Sequence, residues 1–250
     1  MEYISEYFKR KHFLTGLDGR FKLLLAILLI LMIITYEGLF FPLIIFALTL
    51  TISLYIKIPI KILLIRYCEP LFIVMVLIFI KALTDGKEPI IIINQPFITF
   101  SLFKEGLLEG LLLSVRIISA TSVVILLGFI MPFTELISAF TWFKVPKVFV
   151  EVLVFSYKYI FILLEEAQVI FNAQKNRLGY STIKKSLNSL AILSGSLILK
   201  AFEHSQNTTT AMSQRGFDGS IPLMASKAFQ VREFLAVLFF MIIVVFIYKL

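Results

Sequence analysis

Along most of the chain, apolar residues neither alternate with polar ones nor fall on one helical face; they form long runs broken by short polar punctuation. A helix needs roughly 20 mostly apolar residues to cross the hydrocarbon core of a bilayer, with a workable range of about 17 to 25. Five runs meet or approach that length: 21–36, 39–56, 60–82, 106–131 and 234–248. Only Glu37-Gly38 divides the first two, which predicts a tight helical hairpin with a short first arm. Between the third and fourth, LTDGKEPIIIINQPFITF sets turn signals at Asp85-Gly86, Pro89 and Pro96 around a β-branched run, which predicts an extended external loop.

The run 148–164 is also apolar, but Glu151 and Lys158 stand seven residues apart on one helical face. That polar seam predicts an interfacial or protein-packed helix, against the alternative of a sixth crossing. Ahead of it, Thr134 is placed to cap a short helix, TELISAFTWF, with Glu135 near its positive end. Pro146 suits the start of a second helix, which should run to about Arg177 and stop at Gly179 in a left-handed cap. A third, from about Thr182 to Arg215, should stop at Gly216 for the same reason. The organisation predicted is a four-span bundle over 1–131, a polar helical region over 132–232 and a last span over 233–250.

Composition agrees with lipid as the main solvent: 59% hydrophobic residues and a mean hydropathy of +0.95 exclude an ordinary soluble protein. The net charge of +8 follows membrane topology rather than a nucleic-acid footprint. Lys9, Arg10, Lys11 and Arg20 precede or open the first run, and no small-x-small cleavage site follows it, so the reading is an uncleaved span with a cytoplasmic N-terminus. Five spans then place Lys57, Lys61 and the eleven Lys and Arg residues of 132–232 on the cytoplasmic side, leaving Lys81, Lys87, Lys104 and Lys249 outside.

Several chemistries are not supported. The lone Cys68, in an apolar run, predicts a buried small side chain and excludes a CxxC site. His12 and His204 are far apart with no HExxH spacing, so neither a metal nor another cofactor is expected. No GxxxxGK[ST] loop is present, so ATP hydrolysis of the P-loop kind is excluded. An intramembrane enzyme using Glu165, Glu166 or His204 is the alternative from another class, but no partner follows at motif spacing. Ser194-Gly195-Ser196 lacks a base and predicts close helix packing instead. Within the spans, Glu69 and Arg116 each lie about halfway across, which predicts an intramembrane ion pair, with snorkelling of Arg116 as the alternative.

The pattern that stands out is a repeated helix end. AQKNRLGY (173–180) and AMSQRGFDG (211–219) both read Ala, three residues, Arg, then Gly within two positions, with the copies 211 − 173 = 38 residues apart. In each, Ala and Arg share a face: the small side chain allows close backbone approach and the guanidinium offers a planar fork to a carboxylate.

With LDGRFKLLLAILLI (17–30), these segments resemble the transmembrane coupling component of energy-coupling-factor ABC transporters, most closely the CbiQ cobalt-transport family. The first segment is similar to that family's Leu-Asp-Pro-Arg-x-Lys-Leu motif, with Gly19 in place of proline. The resemblance covers nearly the whole chain and implies an all-α membrane protein of about five transmembrane helices with long cytoplasmic coupling helices. It implies a multi-pass, non-enzymatic subunit of the cell membrane, embedded in lipid and binding no nucleic acid. Its partners would be ABC ATPase subunits, a CbiM-like substrate-binding membrane subunit and a small accessory membrane subunit. Ala173, Arg177 and Gly179, with Ala211, Arg215 and Gly216, would be the ATPase-docking residues. Cobalt is the cargo implied, with nickel or a vitamin as the alternatives.

Overall fold

The computed structural model describes residues 16–84, 89–95, 98–217 and 231–249. In chain order its elements are α1 (Gly19–Thr35), α2 (Phe40–Tyr55), α3 (Ile60–Thr84), β1 (Pro89–Gln95), β2 (Ile98–Phe103), α4 (Lys104–Ile130), α5 (Phe133–Trp142), α6 (Lys147–Asn176), α7 (Ile183–Gln214) and α8 (Val231–Lys249). Each of the five apolar runs is a helix, and the fold is that of an all-α membrane protein carrying one small hairpin. Among the described residues, only α3 and α4, at 25 and 27 residues, are long and apolar enough to cross a membrane by length and composition. At 1.5 Å per residue they extend about 38 and 40 Å, against a hydrocarbon core of about 30 Å. α2 is apolar but shorter, with 16 residues.

The segment expected to be an extended loop contains an antiparallel pair, β1 with β2, in the register Ile92 opposite Ser101 and Asn94 opposite Thr99. Consecutive isoleucines favour a pleated strand, and a partner close in sequence supplies the ladder. The turn signals at Asp85-Gly86 and Pro96 lie outside the described residues, as do Lys9, Arg10, Lys11, His12, Lys87 and Lys227.

The chain divides into two compact units: Met1–Ala139 with Lys227–Leu250, and Phe140–Ser226. In the first, Ala26, Leu29 and Ile33 of α1 meet Phe41 and Ile45 of α2, Val123 of α4 and Val244 of α8 in one apolar cluster. A second cluster joins Ile56 and Ile58 to Leu63 and Tyr67 of α3 and Leu126 of α4. Lipid is as apolar as these side chains, so close packing and hydrogen bonds must hold the helices together. Accordingly, Ser119 Oγ lies 2.7 Å from the Pro42 carbonyl oxygen, and Thr49 and Ser122 share a hydrogen bond of 2.8 Å. At Gly110 an added Cβ would lie 3.3 Å from the Ile78 Cα, so α3 and α4 approach backbone to backbone.

α3 continues through Pro70, whose missing N–H deprives the Arg66 carbonyl of its usual donor. The buried stripe of α3 is Leu63, Tyr67, Pro70, Val74 and Ala82. Cys68 is off that stripe and exposed, not buried as the apolar run suggested.

In the second unit, α6 and α7 pack against each other. The Tyr159 and Thr208 hydroxyls share a hydrogen bond. Nearby, Glu166 Oε1 is 2.9 Å from His204 Nε2 and 3.3 Å from Lys200 Nζ. The His204 hydrogen bond, with help from Lys200, holds the Glu166 carboxyl below its ordinary pKa against the opposing effect of desolvation. Along the seam read from the sequence, Glu151 is half-buried and Lys158 exposed. Close packing at Gly195 does not occur: a Cβ there would meet nothing within 4 Å.

Candidate functional site

The ends of α6 and α7 have one hydrogen-bonding geometry. Arg177 is the C-cap of α6 at φ −90, ψ 16, and Arg215 is the C-cap of α7 at φ −90, ψ 10. After Arg177, the Leu178 N–H donates to the Lys175 carbonyl (3.0 Å) and the Gly179 N–H to the Gln174 carbonyl (2.9 Å). After Arg215, the Gly216 N–H donates to Ser213 and the Phe217 N–H to Met212, both at 3.1 Å. These crossed bonds form the Schellman arrangement, which satisfies carbonyls that the helix would otherwise leave open.

The arrangement alone does not mark a site. α2 and α5 close in the same way, with Lys57 and Lys144 at positive φ and Ile56 and Phe143 before them. What sets α6 and α7 apart is an arginine at the C-cap, four residues after an alanine. Ala173, Arg177, Ala211, Arg215 and Gly216 are all exposed, and neither arginine has an ion-pair partner among the described residues. Two guanidinium groups are therefore exposed, each four residues after a small side chain.

One expectation about these ends changes. The left-handed residue of the first copy is Leu178, at φ 57, not Gly179; in the second it is Gly216, at φ 76. Gly179 serves another purpose. A Cβ there would stand 2.7 Å from Ser189 Oγ and 2.9 Å from the Gln174 carbonyl oxygen, so the residue is bare to let α7 come close. Around it, Ser189 Oγ donates to the Gly179 carbonyl at 2.9 Å, Gln174 Nε2 to the Ser189 carbonyl at 3.0 Å, and the Tyr180 hydroxyl to Gln174 Oε1 at 2.7 Å. The first copy is thus braced on the start of α7, which Thr182 caps by accepting from the Lys185 N–H. Gly216, by contrast, has open space around it.

Glu69 and Arg116 are not joined by an ion pair among the described residues. Glu69 points off the buried stripe of α3 and is exposed. Arg116 is half-buried on α4, with a buried Nε that has no hydrogen-bond partner. Depth along a helix is readable from residue number, but the face each side chain takes against its neighbour is not.

Sequence reasoning missed a charged cluster at the start of α1. Lys22 Nζ lies 2.9 Å from Glu135 Oε2, and the Asp18 N–H donates to Glu233 Oε2 at 3.0 Å. α5 begins at Phe133, with Pro132 accepting its first backbone bonds, so Thr134 is inside the helix and is not its cap. Glu135 is in the first turn as expected, but its carboxylate turns to Lys22. A charged lysine one turn into an otherwise apolar run was the available signal.

Residues 10–226 match the family described as cobalt transport protein, CbiQ. An uncharacterized protein of Methanocaldococcus jannaschii is 31% identical over 212 residues, covering 84% of this chain and 79% of that one. The cobalt transport protein CbiQ of Salmonella typhimurium is 32% identical over 108 residues, which span 43% of this chain and about half (48%) of that protein. The energy-coupling factor transporter transmembrane protein EcfT of Staphylococcus aureus is 25% identical over 229 residues, 87% of this chain and 84% of its own length.

Proposed function

The chain belongs to the CbiQ cobalt transport protein family, a family of transport components rather than enzymes, and from that premise we propose that it is the membrane coupling subunit of an energy-coupling-factor transporter for cobalt. The observation that carries the reading is the pair of like-capped helix ends, each with an exposed arginine that has no ion-pair partner among the described residues, four residues after an alanine. The chain has no P-loop, so energy comes from ATPase subunits bearing carboxylates that receive Arg177 and Arg215. Ala173 and Ala211 give those subunits clearance, and Gly179 and Gly216 shape the two ends. Closure of the ATPases on ATP moves the docked ends, and α6 and α7, at 30 and 32 residues, act as levers of about 45 and 48 Å.

Cobalt is favoured by the family description and by the name of the Salmonella relative, and the ligand itself is held by a CbiM-like membrane partner. A small accessory membrane subunit completes the assembly. In this reading α1, α2, α3, α4 and α8 are the five spans, the N-terminus is cytoplasmic, and α5, α6 and α7 lie on the cytoplasmic side. Helices α1, α2 and α8 are shorter than the hydrocarbon core, and local thinning of the bilayer accommodates them.

The test is capture of the complex's P-loop ATPase subunits by membranes carrying the chain. Breaking a docked charge pair costs about 2 kcal/mol or more, which is about thirtyfold in affinity. Arg177→Ala or Arg215→Ala should each weaken capture and cobalt uptake to about that extent while membrane insertion stays normal, and the double variant should be worse. Normal capture by the double variant would falsify the docking role.

A further inference from the structure

The residues at the start of α1 touch the first turns of α5 and α8, the helices of the first unit that stand next to the unit boundaries in sequence. On the way out, α5 belongs to the first unit through Ala139 and to the second from Phe140, so one continuous helix makes the passage. On the way back, α8, from Val231, belongs to the first unit. Lys22 holds Glu135 in the first turn of α5, and the Asp18 N–H holds Glu233 in the first turn of α8. The Phe21 and Phe234 rings, 6.1 Å apart, add an apolar contact beside the second tie.

The first tie is tight in two independent ways. Lys22 is 5% exposed at its side chain and forms the 2.9 Å ion pair. One turn earlier, a Cβ on Gly19 would lie 3.0 Å from Glu135 Cβ and 3.2 Å from both the Glu135 carbonyl oxygen and Met131 Cε. The α1 backbone therefore rests directly against the start of α5.

A buried ion pair is a poor source of net stability, because desolvation offsets much of its attraction, and a well-packed apolar pair often does as well. What it offers is a fixed direction: the pair is satisfied in one mutual placement of the two helices. We infer that Lys22 and Glu135 are positioning residues that form the joint through which movement of α5 is delivered to the membrane bundle. This rests on the coupling role proposed above. With the joint intact, displacement of α5 turns α1; without it, α5 slides over α1 and the ATP-driven movement is lost before it reaches the bundle.

The experiment uses the complete complex in proteoliposomes, with three readouts: capture of the ATPase subunits, ATP hydrolysis, and uptake of radiolabelled cobalt(II). A single Lys22 substitution leaves the part-buried Glu135 carboxylate unpaired and risks misfolding, so the informative variants are paired. Lys22→Met with Glu135→Leu keeps the contact apolar and packed. It should capture ATPases and hydrolyse ATP within about twofold of the parent while uptake falls about tenfold or more, the size of a typical coupling term. Lys22→Glu with Glu135→Lys restores a directional pair and should regain at least about half of the lost uptake. Parent-like uptake by the apolar pair, or a parallel fall of hydrolysis and uptake, overturns the joint, as does a swap that transports no better than the apolar pair. The Arg177→Ala, Arg215→Ala double variant runs alongside. If it captures ATPases normally, the coupling reading itself fails; if it loses capture while the apolar pair transports normally, only the joint fails.

Discussion

Replacing Gly179 with alanine tests the closest approach in the candidate site. The added methyl would sit 2.7 Å from Ser189 Oγ and 2.9 Å from the Gln174 carbonyl oxygen, both inside van der Waals contact. The Gln174 carbonyl is backbone of α6 itself, so that contact is relieved only by shifting the turn, whereas the Ser189 contact is relieved by rotating Ser189 or moving α7, which breaks the 2.9 Å bond to the Gly179 carbonyl. Overpacking of this kind costs about 1–3 kcal/mol, and loss of the bond adds about 1 kcal/mol, so Gly179→Ala should destabilise the α6–α7 pair by about 2–4 kcal/mol. Ser189→Ala alone should cost about 1 kcal/mol. The double variant should cost less than the sum, because the second change removes both the hydroxyl the methyl strikes and the bond the strike would break. The coupling expected is about 1 kcal/mol, well above the roughly 0.5 kcal/mol within which independent sites add. Denaturant midpoints of the four proteins in one bilayer mimetic read it out. Additive effects, or a Gly179→Ala cost below about 0.5 kcal/mol, would show that Gly179 is not there for clearance.

Two further predictions concern the same unit. Gly216→Ala meets no neighbour but places a methyl at φ 76, and should cost about 1 kcal/mol, whereas Leu178→Gly relieves a side chain at φ 57 and should be neutral or stabilising by up to about 1 kcal/mol; thermal unfolding should come earlier for the first variant and no earlier for the second. Because the folded-state pKa of Glu166 is lowered, its contribution to the α6–α7 contact is present at neutral pH and is lost as pH falls below the ordinary carboxylate value through the lowered one, so Glu166→Gln should flatten that acid limb of a stability-against-pH curve.

The helices were readable because lipid imposes length and apolarity together, and the starts and stops of α6 and α7 because Pro146, Thr182 and the Arg-Gly ends carry local geometry. Which residue takes the left-handed position after Arg177 was not readable: it depends on where the C-cap falls, and a shift of one residue moves the role from Gly179 to Leu178. The Lys22–Glu135 tie joins residues 113 positions apart, and nothing local to either predicts the other. Glu69 and Arg116 show the converse, since matched depth does not make two side chains face each other. The isoleucine run was legible as extended chain, but its partner strand was hidden behind the turn signals.

The contrast between Leu178 and Gly216 makes the two helix ends mechanically unequal. Leucine has one narrow well at positive φ, and the turn that follows it is tied to α7 through Ser189 and Gln174, so the α6 end behaves as a clamped beam. Glycine samples a broad range of positive φ, and Gly216 has no neighbour within reach, so the α7 end behaves as a hinged one. A load shared between them bends the hinge first and leaves the clamp in register. A partner with two equivalent grooves would thus meet one stiff plug and one compliant plug on the same chain.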